Sequence, residues 1–178
     1  LFTGDYFGVP GPNPEDMLRW CRTIFWDIFL DLKGKEEVRA AATQSAKEMK
    51  VYLNELLEGN KAIMNNGGRL KDNLFNRLLA LQGTDQPHFN DDEICGNIAG
   101  VYMGAVEPIS KSMVNILGQI YARKEVLAMA REAAAKDDVE TLAGIAWEAL
   151  RFHPNAPALM RFSEKEQRIG NNKRIKAG

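Results

Sequence analysis

Apolar residues recur at helical spacing along most of the chain. A helix N-terminus at Asn13-Pro14 is followed by a three-or-four-residue apolar period, which predicts an amphipathic helix with one broad stripe. Gly34 separates this helix from a second one, predicted over about 35–58 and ended by Glu58-Gly59-Asn60. The stripe of the first helix consists of Met17, Leu18, Cys21, Ile24, Phe25 and Ile28.

The second half of the pattern is also helical. A turn at Asn65–Gly68 and a short helix through Leu74, Leu78 and Leu81 lead to Asn90-Asp91-Asp92-Glu93, which marks another helix start. The apolar period that follows predicts a helix of about 31 residues, ~46 Å long. Further helices are predicted near 123–135 and 138–152, and only the last segment has an extended pattern. The fold class is therefore mainly α.

Pro108 lies in the middle of the long predicted helix. Its ring collides with the carbonyl of residue i−4, here Gly104, and it has no N–H, so a kink or a local opening is expected there. Glu107 is the only charged residue between Glu93 and Lys111. Two interpretations stand: a kinked core helix with Glu107 facing outwards, or a turn facing a flat cofactor or substrate, with Glu107 carrying protons.

A second candidate motif ends the last predicted helix. Glu148 and Arg151 are three residues apart, so they share a helix face and can form an ion pair. Pro154 and Pro157 then predict an extended exit, with Arg161 ten residues after Arg151.

Composition excludes several function classes. The net charge of −1 indicates neither a nucleic-acid nor a membrane-surface partner, and no apolar run reaches the ~20 residues of a membrane span. Two cysteines, Cys21 and Cys95, favour a reducing, cytoplasmic location. His88 and His153 lack metal-ligand spacing, so no metal site is predicted. The tail over 161–176 has six Lys or Arg against two Glu, a pattern that favours a solvated surface over an anion-binding arm.

Taken together, these motifs resemble the cytochrome P450 (haem-thiolate) family. Glu148–Arg151 with its exit is similar to the family's ExxR helix and following strand. Gly104-Ala105-Val106-Glu107 is similar to the pattern that the family's central helix carries over haem. The segment 5–10, a helix start and Trp20 resemble the entry to an early family helix. The resemblance implies a P450-like helical portion with one long kinked central helix and a short extended C-terminal segment.

The resemblance assigns roles to ten residues. Gly104 and Ala105 would line the haem, Arg161 would pair with a haem propionate, and Glu107 would be catalytic. Glu148 and Arg151 would form the structural ExxR pair. The remaining four would line the substrate site: Val106, Pro157, Ala158 and Leu159.

Two departures from the family pattern change the expected chemistry. The usual threonine pair is replaced by Pro108 and Ile109, which carry no hydroxyl, so either dioxygen or a peroxide remains open as the oxidant. The axial cysteine loop is absent, and neither Cys21 nor Cys95 lies in such a loop. The resemblance thus implies a single incomplete P450-like domain over 1–178, an internal fragment whose parent protein binds haem.

Two functions are carried forward. The first is part of a haem-thiolate oxidoreductase, a monooxygenase or a peroxide-using variant, that acts on an apolar small molecule with an electron-transfer partner or peroxide. By itself this chain is expected to be inactive. The second is a non-enzymatic helical module that binds a partner or self-associates through apolar surface. Haem binding distinguishes the two functions, because the first predicts that an extended protein binds haem and the second predicts that none is bound.

Overall fold

The computed structural model describes residues 2–82, 84, 89–156, 163–170 and 173–177, and it is mainly α, as predicted. The chain divides into two compact units, an N-terminal unit, Leu1–Lys111, and a C-terminal unit, Ser112–Gly178. A single domain over 1–178 stays a prediction. In chain order the elements are α1 (Phe2–Phe7), α2 (Pro14–Phe25), a π-helical turn (Trp26–Leu30), α3 (Glu36–Asn65), α4 (Leu74–Leu81), α5 (Asp91–Ala122), α6 (Lys124–Ala135), α7 (Val139–Phe152), β1 (Gln167–Ile169) and β2 (Lys173–Ile175).

The core of the N-terminal unit is one apolar cluster to which α1 to α5 each contribute. Phe75 of α4 and Ile94 of α5 are fully buried, and Leu53 of α3 is almost so. Burying a side chain of this size contributes roughly 1.5–3 kcal/mol relative to leaving it in water. The other buried members are Phe7, Val9, Met17, Trp20, Cys21, Ile24, Met49, Leu57, Cys95, Ile98 and Tyr102.

The predicted helix starts are confirmed by their side-chain caps. The side chain of Asn13 accepts a hydrogen bond from the backbone N–H of Asp16, at 2.8 Å. Asn90 and Glu93 exchange two such bonds, at 2.8 and 2.9 Å, which is a reciprocal capping box at the start of α5. Asp138 caps α7 in the same way as Asn13 caps α2.

The predicted end of the second helix is wrong, because α3 continues through Gly59 and Asn60 to Asn65. Two contacts hold this last part. Asn60 donates to the side chain of Asn76 in α4, at 2.7 Å, and Lys61 pairs with Asp91 at the start of α5. Tertiary partners therefore override the helix-breaking tendency of glycine.

The apolar stripe of α2 ends earlier than predicted. The chain enters a π-helical turn at Trp26, where the N–H of Asp31 donates to the carbonyl of Trp26 five residues before it, at 2.8 Å. The wider turn rotates the following residues off the core-facing stripe. Ile28, predicted to continue the stripe, is consequently exposed. Leu18 is also exposed, although it lies within α2 before the turn.

The long helix exists with nearly its predicted length. α5 has 32 residues and stays α-helical through Pro108, so the helix does not unwind at the proline. Its first half is buried at Ile94, Ile98 and Tyr102. No described helix combines the length and the apolar character needed to cross a membrane.

Small side chains form the packing of the C-terminal unit. α6 and α7 bury Ala130, Ala133 and Ala149, which lets the two helices approach closely. β1 and β2 form a two-stranded antiparallel hairpin, in agreement with the predicted extended segment at the end of the chain.

The Asn60–Asn76 contact can be tested by mutation. Asn76 is 9% exposed and also donates to the carbonyl of Lys71, at 3.0 Å. Asn76→Ala leaves buried polar groups without partners and should lower the free energy of unfolding by about 2 kcal/mol in urea denaturation. As a control, Asn97→Ala removes an exposed side-chain bond to the carbonyl of Glu93 and should change it by less than about 0.5 kcal/mol. Equal effects of the two substitutions would contradict the buried network.

The passage of α3 through Gly59 gives a second prediction. A Cβ at Gly59 would meet nothing within 4 Å, so Gly59→Ala should raise the free energy of unfolding by about 0.5–1 kcal/mol. Gly67 is equally open but has φ +74°, so Gly67→Ala should lower it by about 1 kcal/mol. Because neither added Cβ meets another atom, the difference in thermal unfolding between the two variants reports the backbone conformation at each site. A destabilised Gly59→Ala would show that α3 ends where the sequence predicts.

Glu48 joins α2 to α3 and should make stability depend on pH. It accepts hydrogen bonds from Gln44, Arg19 and the indole of Trp20, which lower its pKa from 4.5 to about 2. Its contribution is therefore fully present above about pH 4.5 and is lost as the pH falls through about 2. The loss of unfolding free energy in Glu48→Gln should be largest near neutrality and should vanish by about pH 2. A loss that did not change with pH would contradict this role.

Candidate functional site

Four predicted site residues lie on one turn of α5. Ala105 and Val106 are partly buried against the core of the N-terminal unit, whereas Gly104 is exposed. A Cβ built on Gly104 would meet nothing within 4 Å. The turn therefore presents open space at the glycine and is held from behind by its neighbours.

Glu107 is oriented by an arginine of α2. The Nε–H of Arg22 donates to Oε1 of Glu107, at 3.1 Å. The Glu107 side chain is 24% exposed and that of Arg22 is 65% exposed, so water competes with the pair. Such a pair contributes little to stability, but it fixes the direction of the carboxylate. Neither Pro108 nor Ile109 supplies a side-chain proton beside it.

The two cysteines are buried thiols of the N-terminal unit. Burial, together with the negative charge of Glu107, raises the pKa of Cys21 to about 12. Burial also raises the pKa of Cys95, whose thiol donates to the side chain of Asn54. Both therefore stay protonated near neutral pH. A protonated, buried thiol is a poor nucleophile near neutral pH.

Val106 lines a surface cleft of the N-terminal unit with a volume of about 260 Å³. The opposite wall comes from the segment before α2 and from the start of that helix. The predicted role of Val106 in lining the substrate site stays a prediction. The residues around the cleft are Gly4, Pro10, Pro14, Met17, Leu18, Tyr102 and Val106.

A more apolar cleft of about 240 Å³ lies between α2, α3 and α5. Its wall contains Met103, one residue before Gly104, and the side chains of Ile24, Met49 and Leu53. The pair Lys50–Asp92, at 2.9 Å, is its charged part. This cleft suits a small apolar molecule better than the first one does.

Glu148 and Arg151 form the predicted local pair in the C-terminal unit. Arg151 donates from Nε and Nη2 to the two carboxylate oxygens, at 2.8 and 2.7 Å, which is a bidentate arrangement. The hydrogen bond from Arg151 lowers the pKa of Glu148. The Arg151 guanidinium also lies 4.2 Å from the ring centroid of Phe152, and Arg123 approaches the same ring at 5.5 Å. The pair thus orders the end of α7.

The remaining predicted site residues fall outside the described part of the chain. They are Pro157, Ala158, Leu159 and Arg161. Their assigned roles in substrate lining and propionate binding stay predictions. His88 also lies outside the described residues, and the described part contains no group of three or more His, Cys, Asp or Glu side chains able to hold a metal ion.

Sequence reasoning missed the partners rather than the motifs. Arg22 is 85 residues before Glu107, and no local spacing connects the two. Arg123 lies two helices away from Phe152 in the same way. Both are basic residues near a helix end, a weak signal that many surface arginines share.

A protein-family model matches most of this chain. The family model described as Cytochrome P450 matches residues 16–178, which include most of α2, all of α3 to α7 and the hairpin. Neither curated proteins nor solved structures gave a match to this chain. The family match covers the Glu107 turn of α5 and the Glu148–Arg151 pair of α7 together. The chain belongs to the cytochrome P450 family.

Proposed function

We propose that this chain supplies the distal wall of the haem pocket in a haem-thiolate oxidoreductase that acts on an apolar small molecule. Haem is the cofactor of the family to which the chain belongs. The observation that carries the proposal is the turn at Gly104, which is open in front and supported behind by Ala105 and Val106. A residue without a side chain at such a point lets a flat ring approach the helix backbone.

The described residues fit one wall of a haem site but not its axial ligation. Cys21 and Cys95 are buried within the core cluster of the N-terminal unit, and neither lies in a loop of the kind that carries the family's axial cysteine. A bound haem would supply the redox chemistry. What this chain contributes is a wall and a positioned carboxylate at Glu107, held by Arg22 at 3.1 Å.

Glu107 is the proposed proton carrier of this wall. Its side chain is partly exposed, so water reaches its Oε atoms, and Arg22 keeps the group directed along one side of α5. Because Pro108 and Ile109 offer no hydroxyl, Glu107 and ordered water are the available donors for dioxygen chemistry. A peroxide is the alternative oxidant, since its oxygen is already at the level of dioxygen reduced by two electrons.

The apolar cleft between α2, α3 and α5 supports the substrate class. It begins one residue from Gly104, at Met103, and is lined mainly by aliphatic and thioether side chains. Sites of this composition bind apolar ligands by removing their surface from water. An electron-transfer partner would complete the monooxygenase reaction, whereas the peroxide reaction needs none.

Gly104→Leu tests the open face directly. Titration of the chain with haemin should give a saturable Soret band in the wild type, and its ferrous carbon monoxide complex should lack the thiolate signature. Gly104→Leu fills the open space and should weaken haemin binding about tenfold or more, because about 1.4 kcal/mol of lost contact is a factor of ten. Visible absorption measures both effects.

Gly118→Leu is the matched control. Gly118 is also a glycine of α5 with nothing within 4 Å of its Cβ position, but it is 14 residues further along, about 21 Å. Haemin binding should be unchanged in this variant, and circular dichroism should show both variants equally helical. Equal loss in both variants, or a thiolate signature in the wild type, would contradict the proposal. Absence of any specific binding would favour the non-enzymatic helical module instead.

A further inference from the structure

The hairpin at the end of the chain places two arginines opposite each other. In the antiparallel register, Arg168 of β1 faces Arg174 of β2, while Gln167 faces Ile175 and Ile169 faces Lys173. Successive side chains on a strand point to opposite faces of the hairpin. Arg168 and Arg174 therefore share one face, and both isoleucines lie on the other. All six residues are exposed.

Like charges directly opposite in an antiparallel pair destabilise the pairing. Glu166, at the start of the hairpin, approaches Arg174 at 3.3 Å and compensates one of the two charges. Within the described part of the chain, the guanidinium of Arg168 has no ion-pair or hydrogen-bond partner. The positive charge of Arg168 is thus uncompensated, and it lies directly opposite the positive charge of Arg174.

Protection of strand edges does not account for this arrangement. Charged side chains on an exposed edge prevent pairing with other strands, but they do so at any position along the strand. Lys173 already supplies such a charge on the opposite face. Placing two arginines in register costs stability that edge protection does not require.

We propose that the Arg168–Arg174 face binds a phosphate group. A guanidinium presents two parallel N–H donors, and phosphate accepts them in a bidentate manner. A tetrahedral phosphate has enough oxygens for two such forks and enough charge to offset both arginines. A single carboxylate has only two oxygens, and Glu166 already provides one to Arg174. The segment that the sequence pattern assigns to plain solvated surface therefore contains a defined anion site.

The phosphate could be carried by a soluble molecule or by a lipid headgroup, and the two sources are separable. The 178-residue chain is titrated with inorganic phosphate while chloride keeps the ionic strength constant, and the arginine side-chain N–H signals are followed by NMR. Saturable shifts of Arg168 and Arg174 are expected. A parallel titration uses phosphatidylcholine vesicles with and without phosphatidic acid. Binding of inorganic phosphate assigns a soluble source, and binding only of the acidic vesicles assigns a lipid source.

Three variants connect the binding to the face. Arg168→Gln should weaken phosphate binding about tenfold, as expected for the loss of a charge-assisted bidentate contact. Arg168→Lys keeps the charge and the strand but loses the fork, and should weaken it by a smaller factor. Lys173→Gln removes a positive charge from the opposite face of the same hairpin and should change it less than twofold.

The proposal fails if chloride produces the same shifts as phosphate, because the effect would then be screening. It also fails if Arg168→Gln and Lys173→Gln weaken binding equally, since only the net charge would then matter. Backbone shifts of β1 and β2 show whether the hairpin persists in each variant. If Arg168→Gln loses the hairpin, the comparison of Arg168→Lys with Lys173→Gln decides the question.

Discussion

The burial of the first half of α5 is the constraint on which the candidate site depends. Ile94, Ile98 and Tyr102 lie within the cluster formed with α1 to α4, each less than a tenth exposed. A helix transmits orientation along its axis, so fixing these turns also fixes the turn at Gly104. α5 stays helical through Pro108, and the position of Glu107 follows from the same packing. The site is thus built on a rigid element supported by a core.

Polar contacts add direction to this packing without adding much stability. Arg22 of α2 orients Glu107, and Glu48 of α3 accepts hydrogen bonds from Arg19 and Trp20 of α2. The buried cysteines belong to the same core, where burial keeps them as thiols. The open glycine at 104 and the carboxylate of Glu107 lie within one turn of α5.

Local signals predicted most of the fold. The capping residues Asn13 and Asp138 determined two helix starts, because capping acts over three residues. The predicted end of α3 was wrong because its last turns depend on contacts with residues that are distant in sequence. Asn60 and Lys61 are held by partners 16 and 30 residues away, which local propensity cannot include. The π-helical turn after Phe25 was equally invisible, because the apolar period alone does not distinguish it from an α-helical turn.

In the candidate site, too, local contacts were predictable and long-range contacts were not. The Glu148–Arg151 pair is local and was predictable from its spacing, whereas the Arg22–Glu107 pair joins helices that are far apart in sequence. The opposition of Arg168 and Arg174 depends on the strand register, which composition does not give. The site residues could therefore be identified from the sequence, whereas their distant partners could be identified only from the fold.

The turn at Gly104 is the surface of the chain that is proposed to face a haem. The most direct measurement is an NMR titration of the chain with gallium protoporphyrin, a diamagnetic analogue of haem whose ring current shifts nearby amides. Saturable shifts centred on the amides of Gly104 and Ala105, with those of Gly118 unaffected, are the expected result. Shifts centred elsewhere, or equal along the whole of α5, would contradict it.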